Sequence, residues 1–402
     1  MALGIGPAHA ADDAIRIALI DPFSGPTALQ GESSFRYIQM TVDEINASGV
    51  LSGRRFDIRP IDNKGNPQEA LIALKHATDH DIRFVMQGVG AHIAHALTEA
   101  VAKHNEREPG RAVLYINYSA PDPALTNEKC NFWHFRFDSH SDMKLDALTT
   151  ALARDPAIQR VYLINQDYSY GQRVARMSRE MLARKRPDIR IVGDELHPLA
   201  KIKDFAPYVA KIKASGADTV VTGNWGNDLS LLIRAGYEAG LKTSYFTMWA
   251  NILGMGQTIG VAGVGRVKNV ANWYVNGPEN RLERFYLAYK QKYGEDWLFT
   301  PSKTALEMLA QAIRMAGSPD PLNVARVLED MRFEAGTGEV WMRPDDHQIV
   351  QALYVATLSR AGSPGVKYDF ENSGFGWKVD ARVEAAETAL PTTCRMRKPD
   401  DG

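Results

Sequence analysis

Two α/β lobes, each wound on both faces of a parallel sheet, are the fold that this sequence of 402 residues predicts. Three observations predict it. Strand-like apolar runs alternate with helical periods, the signature of βαβ units. The alternation restarts after Arg136-Phe-Asp-Ser-His-Ser141, so the second half repeats the first. The stretches beyond Val270 cannot form a domain of comparable size and are expected to return to the two earlier sheets. The length fits, at roughly 150 residues per domain.

The elements follow in order. Ile15-Arg-Ile-Ala-Leu-Ile20 is a β-rich run stopped by Asp21-Pro22, and a helix follows with Phe35, Ile38, Val42 and Ile45 at helical spacing, ending at Gly49. Residues 56–61 read as a second strand, and a helix opens after Asn66-Pro67, with proline in its first turn. A third strand at 82–86, an Ala-rich helix through Val101 and a fourth strand at 112–117 complete the first half. The second half gives a helix at 145–152, then strands at 161–164, 189–192, 219–222 and 244–247. The helices between those strands carry Val174, Met177 and Met181, then span 205–212 and 229–239. Three further helical stretches (about 280–293, 302–316 and 320–331) and a β-rich run at 351–358 close the chain.

Composition removes several classes. Lys+Arg is 47 against 48 Asp+Glu, a formal charge of −1, which lacks the basic excess of a nucleic-acid binder and the bias of a charged tail. Hydrophobic residues at 45% and charged residues at 24% are globular values. No run of about 18 apolar residues offers a membrane span. At the start, Ala8-His9-Ala10 fits the small-x-small pattern of a signal-peptidase site. Residues 1–11 therefore read as the remnant of a secretory signal or as an unstructured start. The first reading makes the chain an exported protein. The two cysteines, Cys130 and Cys394, would stay free in a cytosolic enzyme and pair in an exported protein, pinning the C-terminal segment to the first half.

Catalytic and cofactor motifs are absent. There is no G-x-S-x-G elbow and no phosphate loop, and Gly88-Val-Gly90 and Gly254-Met-Gly256 lack the third glycine of a dinucleotide fingerprint. His92-Ile-Ala-His95 and His76 with His80 have helical metal spacing without an accompanying carboxylate–histidine set, so no metal is expected. No enzymatic activity and no cofactor are predicted.

Six stretches in register at the ends of strands and helices now add up to a resemblance: Asp21-Pro-Phe-Ser-Gly25, Asp43-Glu-Ile-Asn-Ala-Ser-Gly-Val-Leu-Ser-Gly53-Arg54, Asp62-Asn-Lys-Gly-Asn-Pro67, Ser119-Ala-Pro-Asp-Pro-Ala-Leu-Thr126, Asp167-Tyr-Ser-Tyr-Gly171 and Ala210-Lys-Ile-Lys-Ala-Ser-Gly-Ala-Asp218. In this order the chain, over about 12–360, resembles the type I periplasmic solute-binding proteins of branched-chain amino acid (Leu/Ile/Val-type) ABC transporters. The resemblance implies two lobes joined by a three-strand hinge, with crossings near 137–141, 270–273 and 338–344. Lobe 1 would span 12–138, completed by about 271–340. Lobe 2 would span 139–270, completed by about 345–390. The implied partners are a small-molecule solute held between the lobes and the membrane permease of an importer, with the protein a monomer.

The site is expected at the carboxyl ends of the strands, where open α/β sheets bind ligands. The resemblance places the ligand carboxylate on the loops after the third and fourth strands, here Ala91, His92, Ser119 and Ala120, with Phe23 on the loop after the first. Independently, unsatisfied N–H groups at a helix start favour an anion, and Ser119 adds a hydroxyl. Two departures from the family stand out. Pro121 replaces a threonine that offers both hydroxyl and N–H, and Trp249-Ala250 stands where a carboxylate for an α-ammonium is usual. Asp138, Asp167 and Asp228 are the candidates for a compensating acid. Tyr168, Tyr170, Trp225 and Trp249 fall just past strand ends, at the lip of the cleft. Core packing is the usual fate of such rings, but in Gly- and Asn-flanked loops solvent contact is favoured, and Trp225 and Trp249 are expected in the ligand pocket. The expected ligand is a small carboxylate with an apolar, aromatic body. A branched-chain amino acid, an amide or urea, or a sensor role for the same lobes are the alternatives.

Overall fold

In a computed structural model of the chain, residues 14–277, 282–296 and 300–399 are described. The expected signal remnant at 1–11 lies outside the described residues. The first apolar run forms β1 (Ala14–Asp21), an interior strand of a five-stranded sheet. It pairs in parallel with β2 (Arg55–Asp62) on one side and β3 (Phe84–Gln87) on the other; β4 (Leu114–Asn117) and β5 (His134–Arg136) extend the sheet, giving the order β2-β1-β3-β4-β5. Helices α1 (Ala28–Ser48), α2 (Pro67–Asp79) and α3 (Ala91–Arg107) make the crossovers. Local chemistry sets their ends. Gly49 takes the left-handed conformation that stops α1, and the Asn66 side chain accepts the N–H groups of Gln68 and Glu69 to start α2.

The second sheet follows the same plan with α4 (Ser141–Ala153), β6 (Arg160–Gln166), α5 (Ser169–Lys185), β7 (Arg190–His197), α6 (Ala206–Ser215), β8 (Thr219–Val221), α7 (Gly226–Glu238), β9 (Ser244–Thr247), α8 (Met255–Ile259) and β10 (Val267–Ala271). Beyond it come α9 (Glu283–Tyr293), α10 (Pro301–Ala316), α11 (Pro321–Leu328), β11 (Arg332–Ala335), β12 (Gly338–Met342), β13 (Ile349–Val350), β14 (Leu353–Arg360), β15 (Phe375–Val383) and α12 (Ala385–Thr388). The order is β15-β14-β10-β9-β8-β6-β7, parallel from β7 to β10, with β14 and β15 added antiparallel as a hairpin. Helices α10 and α11 return to lobe 1, where Leu306, Leu309, Ile313, Val324 and Leu328 share a core with β1 and β3.

The lobes are joined by crossings that touch one another. In the first, the Phe137 N–H donates to the Asn117 carbonyl (2.8 Å) and the Ser141 N–H to the Pro121 carbonyl (3.0 Å). The second leaves β10 at Asn272, whose amide reaches Thr300 Oγ1 at 2.7 Å. The third differs from the expected 338–344. The antiparallel sheet β11-β12-β13 packs Val340, Met342 and Ile349 into the lobe 1 core, so the chain passes to the seven-stranded sheet only after Val350. Gln348 ties this crossing to the first, donating to the Asp138 carbonyl at 2.8 Å. A fourth passage returns the C-terminal segment to lobe 1, as expected for an exported chain whose Cys130 and Cys394 pair. After α12 the chain runs back onto lobe 1, where Thr392 Oγ1 donates to the Thr126 carbonyl (2.9 Å), the Thr393 N–H donates to Asn127 Oδ1 (3.0 Å), and Cys394 is disulfide-bonded to Cys130.

Candidate functional site

The carboxyl ends of β1, β3 and β4 form one lip. Asp21 closes β1 with its side chain fully buried, and Gly88 and Val89 donate their N–H groups to Oδ1 at 3.2 and 3.0 Å while the Tyr118 hydroxyl donates to Oδ2. Burial pushes the carboxyl up to about 6, against hydrogen bonds that pull the other way. Gly88 is required here, because a Cβ would sit 2.4 Å from the Tyr118 ring. Gly90 then turns at φ 97° into α3. The loop after β4 is tied as firmly. Asn117 Oδ1 accepts the N–H groups of Ser119 (3.2 Å) and Ala120 (2.8 Å), and the buried Arg136 guanidinium donates to the carbonyls of Asp122 (2.5 Å) and Ala120 (3.4 Å).

On this lip Phe23 is half-buried, edge-on to Phe35 at 6.2 Å, with its N–H held by Asp62 at 2.8 Å. Ala91 opens α3, and no side chain caps that helix start. His92 is exposed, with Nε2 3.2 Å from the Gly65 carbonyl, which turns it toward the loop before α2. The Ser119 side chain is half-buried. Ala120 needs correction. It is wholly buried and its N–H is already bound to Asn117, so it shapes the loop and offers a ligand no free donor.

The other lip is aromatic. It lies at the carboxyl ends of β6, β8 and β9, which run parallel in neighbouring positions of one sheet. Tyr168 and Tyr170 flank the start of α5, Trp225 precedes α7, and Trp249 follows β9. The Trp225 Nε1–H donates to the Tyr168 hydroxyl at 2.9 Å and the Trp249 Nε1–H to the Tyr170 hydroxyl at 2.6 Å. The rings of Tyr168 and Tyr170 are 5.8 Å apart, and those of Tyr170 and Trp249 6.4 Å. The four residues therefore form one ladder, from Trp225 (42% exposed) to the half-buried Trp249. Ala250 is the second correction. It sits in the lobe 2 core and its N–H is donated to Asn269 at 2.8 Å, because the chain turns inward there.

Charge behind the ladder comes in closed pairs. Lys144 donates to Asp138 at 2.6 Å, both side chains are buried, and the ammonium lies 5.2 Å from the Trp249 ring centre. Arg173 forks onto Asp142, with Nε 3.0 Å from Oδ1. Asp228 accepts from Gln166 (2.8 Å) and from the Ala200 N–H (2.9 Å). Of the three candidate acids only Asp167 is exposed, holding Gln172 at 2.9 Å. Lys144, Asp142 and Arg173 were missed from the sequence because they sit on the first turns of α4 and α5, one turn away from the strand-end loops. Among the described residues no group of three His, Cys, Asp or Glu side chains could hold a metal ion, and no helix is long and apolar enough to cross a membrane.

The model of the family described as periplasmic binding protein matches residues 14–363. The Leu/Ile/Val-binding protein homolog 4 of Brucella abortus is 32% identical over 98% of this chain and 95% of its own length. The leucine-, isoleucine-, valine-, threonine- and alanine-binding protein of Pseudomonas aeruginosa is 24% identical over 82% of this chain and 86% of its own. A structure of the protein of that name from Brucella ovis, in a closed conformation, is 28% identical, with a TM-score of 0.88 over 96% of this chain and 100% of its own. A Rhodopseudomonas palustris solute-binding protein in complex with benzoate has the same fold, with 17% identity and a TM-score of 0.74 over 95% of this chain and 99% of its own. Two parallel-sheet lobes with joined crossings, and a family match spanning both, make this chain a member of the periplasmic binding protein family, a solute-binding protein with the type I fold.

Proposed function

We propose that the protein captures a small carboxylate with an aromatic body between its lobes and hands it, chemically unchanged, to the permease of an ABC importer in the periplasm. The ladder Trp225–Tyr168–Tyr170–Trp249 is the observation that carries this reading. A continuous wall of four rings at a strand-end lip offers flat apolar surface matched to a ring, and aromatic pairs add about 0.5–1.5 kcal/mol beyond area burial. The ligand carboxylate would lie on the opposite lip, against the start of α3 and the Ser119 hydroxyl. Asp138, Asp142 and Asp228 are already engaged, which supports a ligand without an ammonium, since a buried cation lacking a counter-charge costs several kcal/mol.

A branched-chain amino acid is the second reading, favoured by the names of the relatives and by the exposed Asp167, the carboxylate left to meet an ammonium. Thermal shift and calorimetric titration against benzoate, 4-ethylbenzoate, leucine and valine separate the two. Ligand bound only to the folded state raises the melting temperature. A response to the benzoates alone is expected. A response to leucine or valine alone, abolished by Asp167→Asn, would replace the aromatic reading by the second.

A further inference from the structure

The two hydrogen bonds within the ladder have a direction, and that direction selects among ligands. An indole N–H can only donate, whereas a phenol oxygen both accepts and donates. Trp225 Nε1–H and Trp249 Nε1–H point at Tyr168 and Tyr170, so both indole donors are spent and each tyrosine oxygen has accepted. Each tyrosine retains its own O–H proton, and among the described residues neither hydroxyl has an acceptor. Both phenols are also held firmly in the neutral, proton-bearing form, because burial opposes the phenolate. The lip of lobe 2 therefore presents two O–H donors and no indole donor, set 57 and 79 positions from their tryptophan partners and so oriented only by the fold.

We infer that Tyr168 and Tyr170 determine specificity, selecting ring carboxylates whose end remote from the carboxylate carries a hydrogen-bond acceptor: an ether, carbonyl, hydroxyl oxygen or second carboxylate. This rests on the aromatic-carboxylate reading above. A ligand with its carboxylate on lobe 1 turns its far end to lobe 2, where an acceptor oxygen satisfies the tyrosine protons on closure. A purely apolar end leaves those donors desolvated without a partner, and a net hydrogen bond is worth about 0.5–1.5 kcal/mol. An ammonium at that end would meet protons and be rejected.

The test uses two ligands of nearly equal shape, 4-methoxybenzoate and 4-ethylbenzoate, which differ by an ether oxygen in place of a methylene. Calorimetric titration of the full chain is expected to give about fivefold tighter binding of the methoxy compound. In Tyr168→Phe/Tyr170→Phe, which removes both O–H donors and keeps the rings, the ratio of the two affinities is expected to fall to within about twofold of one. Equal affinities in the unaltered protein, or a preference that survives the double substitution, overturn the inference and leave the aromatic-carboxylate reading standing. Binding of leucine with neither benzoate would overturn both.

Discussion

Lobe 1 meets the cleft with backbone held in place, and lobe 2 meets it with side chains leaning on one another. On the first lip the donors of Gly88, Val89, Ser119 and Ala120 are fixed by Asp21 and Asn117, and Arg136 grips the same loop from behind. On the second lip four rings are tied in two Trp–Tyr pairs, with one tryptophan 42% exposed. The difference teaches how one fold separates two tasks. Under the proposed function this rigid lip would seat the carboxylate at the start of α3 and the Ser119 hydroxyl, because a seat already ordered loses little entropy on binding. The body of the solute varies, and rings that form a wall can be exchanged without disturbing the sheet beneath.

This contrast can be broken at several points. The largest effect is expected from Cys130→Ser/Cys394→Ser, which frees the returning C-terminal segment from the lobe 1 loop. With 264 residues between the cysteines, loss of about 2–4 kcal/mol is expected in urea denaturation, with little change in ligand selectivity. Asp21 comes next. It keeps its proton up to about pH 6 when folded, whereas an unfolded aspartate releases it near 3.8, so the folded state binds more protons between those values. Its contribution is complete below pH 3.8 and is lost as pH rises through 6, by up to about 3 kcal/mol. The stability difference between the unaltered protein and Asp21→Asn, followed by denaturant titration from pH 4 to 7, should therefore fall with pH. A flat difference would mean that Asp21 is not desolvated as its surroundings imply.

The second lip should respond in binding more than in folding. Trp225→Ala removes an exposed ring and is expected to weaken an aromatic carboxylate at least tenfold, about 1.4 kcal/mol, while stability shifts by less than about 0.5 kcal/mol. Trp249→Ala should lose both, since that ring also packs on a lobe 2 core. Unchanged affinity in Trp225→Ala would show that the ladder is scaffolding. The smallest effect belongs to His92→Ala. With the imidazole exposed and turned to the Gly65 carbonyl, calorimetry should find affinity and stability within about 0.5 kcal/mol of the starting values.

The elements that sequence reading placed well are those whose burial has a period. β1, α1, α2 and α10 repeat their apolar residues at strand or helix spacing and carry end signals such as Gly49 and Asn66-Pro67. Elements without a period were not legible. β5 is three buried residues and β13 is two, too short for a period to show. The site divides along the same line. The four rings stood out because they are large residues in Gly- and Asn-flanked loops. Ala120 and Ala250 could not be judged, because whether an N–H is free depends on Asn117 three residues before one and Asn269 nineteen residues after the other.

Local order along the chain determined the alternation of strands and helices, the restart after Arg136 and the residue types offered at each strand end, because hydrophobic period and end-capping act over a few neighbours. Which polar groups remain free, which acids are already paired and which way the ladder's hydrogen bonds run were decided only in three dimensions. Those outcomes join Asp138 to Lys144 and Trp225 to Tyr168, whereas the pairing of Cys130 with Cys394 was already expected of an exported chain. In water a lone polar side chain always finds a partner, so pairing carries information only once burial has removed the solvent.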